Sequence, residues 1–481
     1  MKSKLGILDQ GDSCTSRPGL HLNCAEGKLA PGTFRGRAAL VTLGCAKNQV
    51  DSEVMLGVLA KQGFEIVNDL QIADVAIVNT CGFLQSSVKE SIDCILDVGE
   101  YKKKGQLRKL IVAGCLVERY RGELRESLPE VDRFLSIDEI LKVGEAACGE
   151  VGELLRGAER PYFLYDDSMP RHLSTLPHTA YVKISEGCNR PCTFCIIPKL
   201  RGSMRSRTLD SLVREVRDLG ERGVREINLV AQDLTSYGRD LQGPDLLALL
   251  KALDQTKAVD WIRLLYAYPV GITAELLAAI VDLPHVCNYL DLPMQHSSEA
   301  VLRQMKRPVG RYAPRALTEF IRKTAPQIAL RTTLIVGFPG ETESDILDLE
   351  NFISEGHFSS VGVFTYSQEQ GTDSHDLPMQ LEQQVKDERR ERIMLAQQRV
   401  VEKRLQAQIG STVEVLIDGL HEDTDLLVTG RASFQAPDVD GTVIINDLTE
   451  DLGEVRAGML GQVEITDSAG YDLVGTLISV D

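Results

Sequence analysis

The chain has 481 residues, 43% hydrophobic and 26% charged, with a formal charge of −17. That length suggests two to four domains of ordinary soluble composition. No apolar run approaches the roughly 20 residues of a membrane span, and eleven cysteines are too sparse for a disulfide scaffold.

Residues 1–36 mix acids and bases, lack the apolar core of a secretory signal, and read as a poorly ordered extension. Over residues 37–150 strand and helix patterns alternate. AALVTLG, DVAIVNT and KLIVAG are apolar runs suited to buried parallel strands, and an amphipathic stretch follows each. This predicts a small, doubly wound α/β domain. Residues 151–177, polar and Pro-containing, read as a linker. Over residues 178–408, TAYVKIS, REINLVA, WIRLLYA, NYLDLPM, ALRTTLIVGF and VGVFTYS are six candidate strands separated by helices. They predict a partial (β/α)6 barrel, a fold that gathers function at the carboxyl ends of its strands. Its last element is a charged helix over about 384–408, with Val385, Ile393, Ala396 and Val400 as the expected packing stripe. TVEVLID, DLLVTGRA, GTVIIND and GQVEITD then predict a small closed β-barrel over 409–481. Residues 411–481 carry fifteen acids against Arg431 and Arg456, so −13 of the total charge falls there. Such a module repels phosphate backbones and attracts basic proteins, or is simply a solvated surface.

SEGCNRPCTFCIIP, residues 185–198, follows the first predicted barrel strand. Cys188, Cys192 and Cys195 are spaced C-x3-C-x2-C, and the next cysteine is Cys287. Structural zinc sites and ferredoxin clusters usually close with four ligands. A centre with three protein ligands keeps one position open, and an open iron on a four-iron cluster can chelate a small molecule and pass it an electron. This favours a catalytic iron–sulfur cluster. The alternatives are zinc completed by a distant histidine, or a redox pair of Cys192 and Cys195.

Cys45, Cys81 and Cys115 each end a predicted parallel strand, where open α/β sheets bind ligands. A helical stretch follows each, so helix amino termini can favour an anionic cluster there. The alternative is three independently buried thiols.

The C-x3-C-x2-C loop after a first barrel strand resembles the radical S-adenosylmethionine (SAM) enzymes. The resemblance implies that Cys188, Cys192 and Cys195 hold a [4Fe–4S] cluster whose open iron binds SAM. Phe194 is then the aromatic residue beside it. With the second triad and the terminal barrel, residues from 37 onward resemble the methylthiotransferases, whose carboxy-terminal module is the TRAM barrel. That implies an auxiliary [4Fe–4S] cluster on Cys45, Cys81 and Cys115, carrying the sulfur to be inserted, and two SAM per turnover. Cys14, Cys24, Cys94, Cys148 and Cys287 match no ligand position. In LIVGFPGE, residues 334–341, Gly337 and Glu341 are expected along SAM. Gln232 and Asp233 are expected at its ribose or amino group. His296 reads more readily as packed than as a base.

LGCAKNQVDSE, NTCGF, AGCLVERY, LVAQDLTSYGRD, LYAYP and LPMQHSS resemble the branch that methylthiolates the β-carbon of an aspartate in small-subunit ribosomal protein twelve. The branch acting on tRNA adenosine more typically shows an HGCQMN-type first motif and an SSHP-type segment. Ala46 replaces the usual proline, and Arg190-Pro191 the common His-Arg. Neither touches a ligand position. The acidic barrel agrees, because an RNA-gripping module should be basic. Ribosomal RNA could still meet Lys102, Lys103 and Lys104, or Lys199, Arg201, Arg205 and Arg207, unless these form solvated faces. The expectation is a cytoplasmic enzyme served by reductant and sulfur-donor proteins, without membrane association or direct tRNA binding. The rivals are the tRNA enzyme and a non-catalytic, metal-dependent ribosome-docking module.

Overall fold

The computed structural model describes residues 34–149, 163–449 and 452–481. Most of the expected amino-terminal extension and the first part of the linker lie outside the described residues. Among the described residues no helix is long and apolar enough to cross a membrane.

The first layer is a parallel sheet of β1 (Gly36–Thr42), β2 (Phe64–Ile66), β3 (Val75–Thr80), β4 (Lys109–Gly114) and β5 (Arg133–Leu135), in the order β2-β1-β3-β4-β5. β3 is buried along its whole length, as a strand covered on both faces must be. Helix α1 (Ala46–Lys61) packs Met55, Leu56 and Leu59 on one face. Helices α2 (Gln85–Lys103) and α3 (Cys115–Ser127) pack Val88, Ile95, Leu116 and Leu124 on the other. The domain is therefore doubly wound, as expected. β2 and β5, three residues each, were not anticipated.

The second layer is an open half-barrel of β6 (Thr179–Lys183), β9 (Glu226–Val230), β10 (Trp261–Leu264), β11 (Val286–Asp291), β12 (Ala329–Val336) and β13 (Ser360–Thr365). All neighbours are parallel and the order is β13-β12-β11-β10-β9-β6. Strands β7 (Ser185–Glu186) and β8 (Arg205–Ser206) form a separate antiparallel ribbon bracketing the cysteine loop. Alternation sorts the side chains: Ile227 and Leu229 join the outer, helix-covered core. Glu226 and Asn228, on the opposite face of that strand, are fully buried polar residues.

The open side of the half-barrel is closed by other parts of the chain. Val50 and Val54 of α1 join Tyr165, Tyr181, Val230, Trp261 and Tyr289 in one apolar cluster, together with Leu416, Ala436 and Leu460 of the carboxy-terminal domain. That domain is a closed barrel of β14 (Thr412–His421), β15 (Thr424–Ala432), β16 (Val443–Leu448), β17 (Leu460–Ala469) and β18 (Asp472–Val480), ordered β14-β15-β16-β18-β17. It seats near the strand starts. Arg431 joins Glu226 and Asp418, and the hydroxyls of Tyr181 and Tyr289 donate to Asp438 at 2.8 Å and Asp440 at 2.7 Å. The cysteine loop lies past the carboxyl end of β6.

The described part of the linker, residues 163–177, packs as a strap between α1 and the half-barrel, and one expectation, on the last helix, needs correction. Tyr165 is buried, and Arg171 bridges Glu53 of α1 at 2.7 Å to Glu215 of the half-barrel at 2.6 Å. Two buried carboxylates on facing elements require a cation between them. On the last helix, Gln383–Gln406, the buried stripe is Lys386, Arg389, Ile393, Ala396, Gln397 and Val401. Val385 and Val400 are half-buried. The basic members turn inward because carbonyls and Glu341 await them: Lys386 donates to the Tyr366 carbonyl at 3.1 Å, and Arg389 meets Glu341 at 2.6 Å.

Candidate functional site

Cys45 caps the start of α1 just beyond β1, Cys81 follows β3, and Cys115 opens α3 directly after β4. These strands are consecutive neighbours in the sheet, so the thiols share one edge. Asn48 ties the edge together: its amide donates to the carbonyls of Leu43 at 2.9 Å and Thr80 at 3.0 Å, and its oxygen accepts from Arg201. Gly114 turns the chain into Cys115 at φ +98°, and a Cβ there would lie 2.4 Å from Asn79 Oδ1 and 2.6 Å from the Thr80 carbonyl. Gly114→Ala is therefore expected to cost about 3 kcal/mol from strain and crowding combined. Urea unfolding of the full chain measures it, and reconstituted iron content should fall with it.

The second triad lies on the loop inside the β7–β8 bracket. The Cys188 N–H donates to Gly202 O at 3.1 Å, the Cys195 N–H to Cys192 O at 3.1 Å, and Thr193 is pinned to Gln304 and Met305 carbonyls at 2.9 and 3.1 Å. Arg307 stands 3.9 Å from Cys192 Sγ.

All six cysteines line one cavity of about 500 Å³ between the two layers. Burial pushes the thiols of Cys115 and Cys195 up to about 12 and that of Cys188 to about 11. Burial raises Cys81 as well. At Cys45 burial is outweighed by Lys47, Arg201 and backbone N–H groups, so its pKa falls below the ordinary thiol value. Most of these thiols therefore stay protonated until metal displaces the proton. Among the described residues, no three acidic, histidine or cysteine side chains converge tightly enough for a single ion. The donor set at each end of the cavity is three cysteines, and in a four-iron cluster each cysteine takes a different iron, so each triad fits such a cluster with one iron left open.

Of the other expected site residues, Phe194 and Gln232 line the cavity. Asp233 does not: it is buried in an ion pair with Arg190 at 2.7 Å and accepts from Ser236 at 2.6 Å. Gly337 and Glu341 do not line it either. Glu341 accepts the Gly337 N–H through both oxygens, at 2.8 and 3.0 Å, and pairs with Arg389, locking a turn. His296 is fully buried, with Nδ1 accepting from the Ser298 N–H at 2.9 Å, and is a packed histidine.

Sequence reasoning missed Lys47, Tyr266, Tyr268 and Arg307 as cavity residues. Tyr266 (φ +68°) and Gln295 (φ +77°) both hold left-handed backbones past strand ends, a strain of roughly 1–3 kcal/mol each of the kind kept at functional sites. The Tyr268 ring lies against two guanidiniums, Arg190 at 4.0 Å and Arg307 at 4.3 Å. Arg201 and Arg207 do not form an RNA-facing surface. They are buried in ion pairs: Arg201 with Glu186 at 2.8 Å and Asp51 at 3.1 Å, and Arg207 with Glu215. Arg205 is also buried.

Family models match three successive segments: uncharacterized protein family UPF0004 over residues 37–136, the Radical SAM superfamily over 182–353, and the TRAM domain over 409–478. The fold and the cysteine loop thus define a radical SAM enzyme with a UPF0004 domain before its half-barrel and a TRAM barrel after it. Ribosomal protein uS12 methylthiotransferase RimO of Geobacter sulfurreducens is 47% identical over 446 residues, 92% of this chain and 99% of that one. The RimO of Pelobacter propionicus is 46% identical over 448 residues, 92% and 98% of the two chains. The chain belongs to the RimO family of uS12 methylthiotransferases. Among solved structures, the radical S-adenosylmethionine methyltransferase TsrM from Kitasatospora setae, with cobalamin and a [4Fe-4S] cluster bound, superposes with a TM-score of 0.51 at 13% identity. It covers 70% of this chain and 77% of that one, a likeness of fold.

Proposed function

We propose that the chain methylthiolates the β-carbon of an aspartate in ribosomal protein uS12, giving 3-methylthioaspartate. The observation that carries this is the single cavity shared by both cysteine triads. In this reading Cys188, Cys192 and Cys195 hold one [4Fe–4S] cluster, and Cys45, Cys81 and Cys115 the other. When bound, the clusters and SAM supply the electron, the hydrogen-abstracting radical and the methylthio group. Phe194 walls the barrel triad, and Gln232, with its carbonyl oxygen buried and unpartnered, is left to accept a hydrogen bond from SAM.

The acidic TRAM barrel supports a basic protein partner over RNA. One of its two arginines, Arg431, is consumed internally by Glu226 and Asp418, so it offers no charge to a phosphate. On this reading the reaction takes place in the cytoplasm, on or near the ribosome, with reductant and sulfur-donor proteins as partners. Mass spectrometry after anaerobic turnover tests the reading. The expected result is one methylthio group gained by uS12 and none by tRNA; modification of tRNA adenosine instead would overturn it.

A further inference from the structure

Lys47 is the second residue of α1 and only 7% exposed. A cation in the first turn of a helix opposes the macrodipole, and burying it without an anion is costly. Among the described residues no carboxylate pairs with Lys47. Its ammonium rests over the Tyr266 ring, 3.3 Å from the centroid, and that ring comes from the opposite wall of the cavity. Two of the cavity's other cations are paired with carboxylates, and the third, Arg307, stands on the barrel triad's side, 3.9 Å from Cys192 Sγ. Arg201 is paired with Asp51 and Glu186, Arg190 with Asp233, and Arg307 donates to the Pro293 carbonyl. Arg201, paired with Asp51 and Glu186 and donating to Asn48 Oδ1, is the cation built into the edge that carries the amino-terminal triad.

We infer that Lys47, steered by Tyr266, is the binding site for the side-chain carboxylate of the substrate aspartate. This rests on the function proposed above and deepens it. The reacting β-carbon is bonded directly to that carboxylate, so an ion pair there fixes the position of the hydrogen to be removed. It also sets specificity: asparagine offers no charge to the ammonium, and glutamate places the carboxylate one methylene too far from the same carbon.

The test uses the full-length, reconstituted enzyme, recombinant uS12, and a uS12 variant whose target aspartate is replaced by asparagine. Affinity for the two proteins is measured by calorimetry, product by mass spectrometry, and iron content and cluster reduction potentials by spectroscopy. Wild type should prefer the aspartate protein. Lys47→Met should lose roughly a hundredfold in kcat/KM and most of that preference, as expected when one partner of a desolvated charge pair is removed. Iron content and potentials should hold, and Lys47→Arg should regain part of the preference. The inference is overturned if Lys47→Met keeps the aspartate preference. It is also overturned if Lys47→Met lowers iron or shifts the potential of the amino-terminal cluster while substrate discrimination persists, because the ammonium then serves the cluster. A wild type that leaves uS12 unmodified would overturn the functional reading itself, a result distinguishable from either.

Discussion

Replacing Cys188, Cys192 and Cys195 together with alanine is expected to lower reconstituted iron from about eight to about four per chain, one four-iron cluster per triad. Reductive cleavage of SAM should then vanish, because the remaining triad belongs to the other layer of the molecule. Replacing Cys45, Cys81 and Cys115 should remove the same amount of iron, abolish methylthio transfer, and leave SAM cleavage measurable. The asymmetry follows from placement. The barrel triad sits beyond the carboxyl end of β6 beside Phe194 and Gln232, whereas the other triad lines the facing wall. Cys94→Ala is the control: this half-buried thiol on α2 does not line the cavity and should not change the iron count. Iron and sulfide analysis beside 5′-deoxyadenosine quantification decides the matter. About four irons in the wild type, or zinc in either site, would sink the two-cluster account.

The layered α/β order, the half-barrel and the terminal barrel were legible because their strands are apolar runs of useful length bounded by turns. β2 and β5 escaped because three residues carry no detectable period, and the nine-residue β18, which closes the terminal barrel between β16 and β17, was not among the four strands expected there. The two triads were legible from spacing and from their place at strand ends. What the sequence could not reveal was that both face the same cavity, since the joining contacts are long-range. Asn48 and Asp51 on α1 meet Arg201 after the cysteine loop, and Arg119 on α3 meets Glu369 beyond the last half-barrel strand at 2.8 Å. The same blindness misplaced the basic residues. Arg201, Arg205 and Arg207 look like a solvent-facing cluster in one dimension, yet all three are buried. The residues expected along SAM also separate in space, for a related reason. Gln232 and Asp233 are adjacent, but only Gln232 lines the cavity, because Arg190 and Ser236 hold Asp233 outside it. Gly337 and Glu341 look like a ligand loop in sequence, but their polar groups satisfy each other and Arg389.

Glu226→Gln should be the most damaging single change away from the cysteines. Glu226 opens β9 at the seat of the carboxy-terminal barrel, fully buried, and holds both Arg263 at 2.9 Å and Arg431. Neutralising it removes the carboxylate between two buried guanidiniums. Arg431 keeps Asp418, but Arg263 is left with the Ser433 carbonyl at 2.5 Å and the rings of Tyr289 at 5.0 Å and Trp261 at 5.8 Å. Breaking such a pair costs about 3–5 kcal/mol, which urea unfolding at pH 7 should register. Early detachment of the barrel should appear as proteolysis near residues 407–411. The pH dependence gives a second check. Burial would raise the Glu226 pKa, but Arg431 and Arg263 outweigh it and hold the carboxyl below the usual carboxylate range. A depressed folded-state pKa contributes stability that is present above the unfolded value, about 4.3, and is lost as pH falls toward the folded one. Wild type should therefore lose stability progressively below about pH 5. Glu226→Gln should lack that share of the loss, so the gap between the two proteins narrows with acidification. A gap that stays constant or widens as pH falls would mean that packing, and not the charge of Glu226, holds the barrel in place.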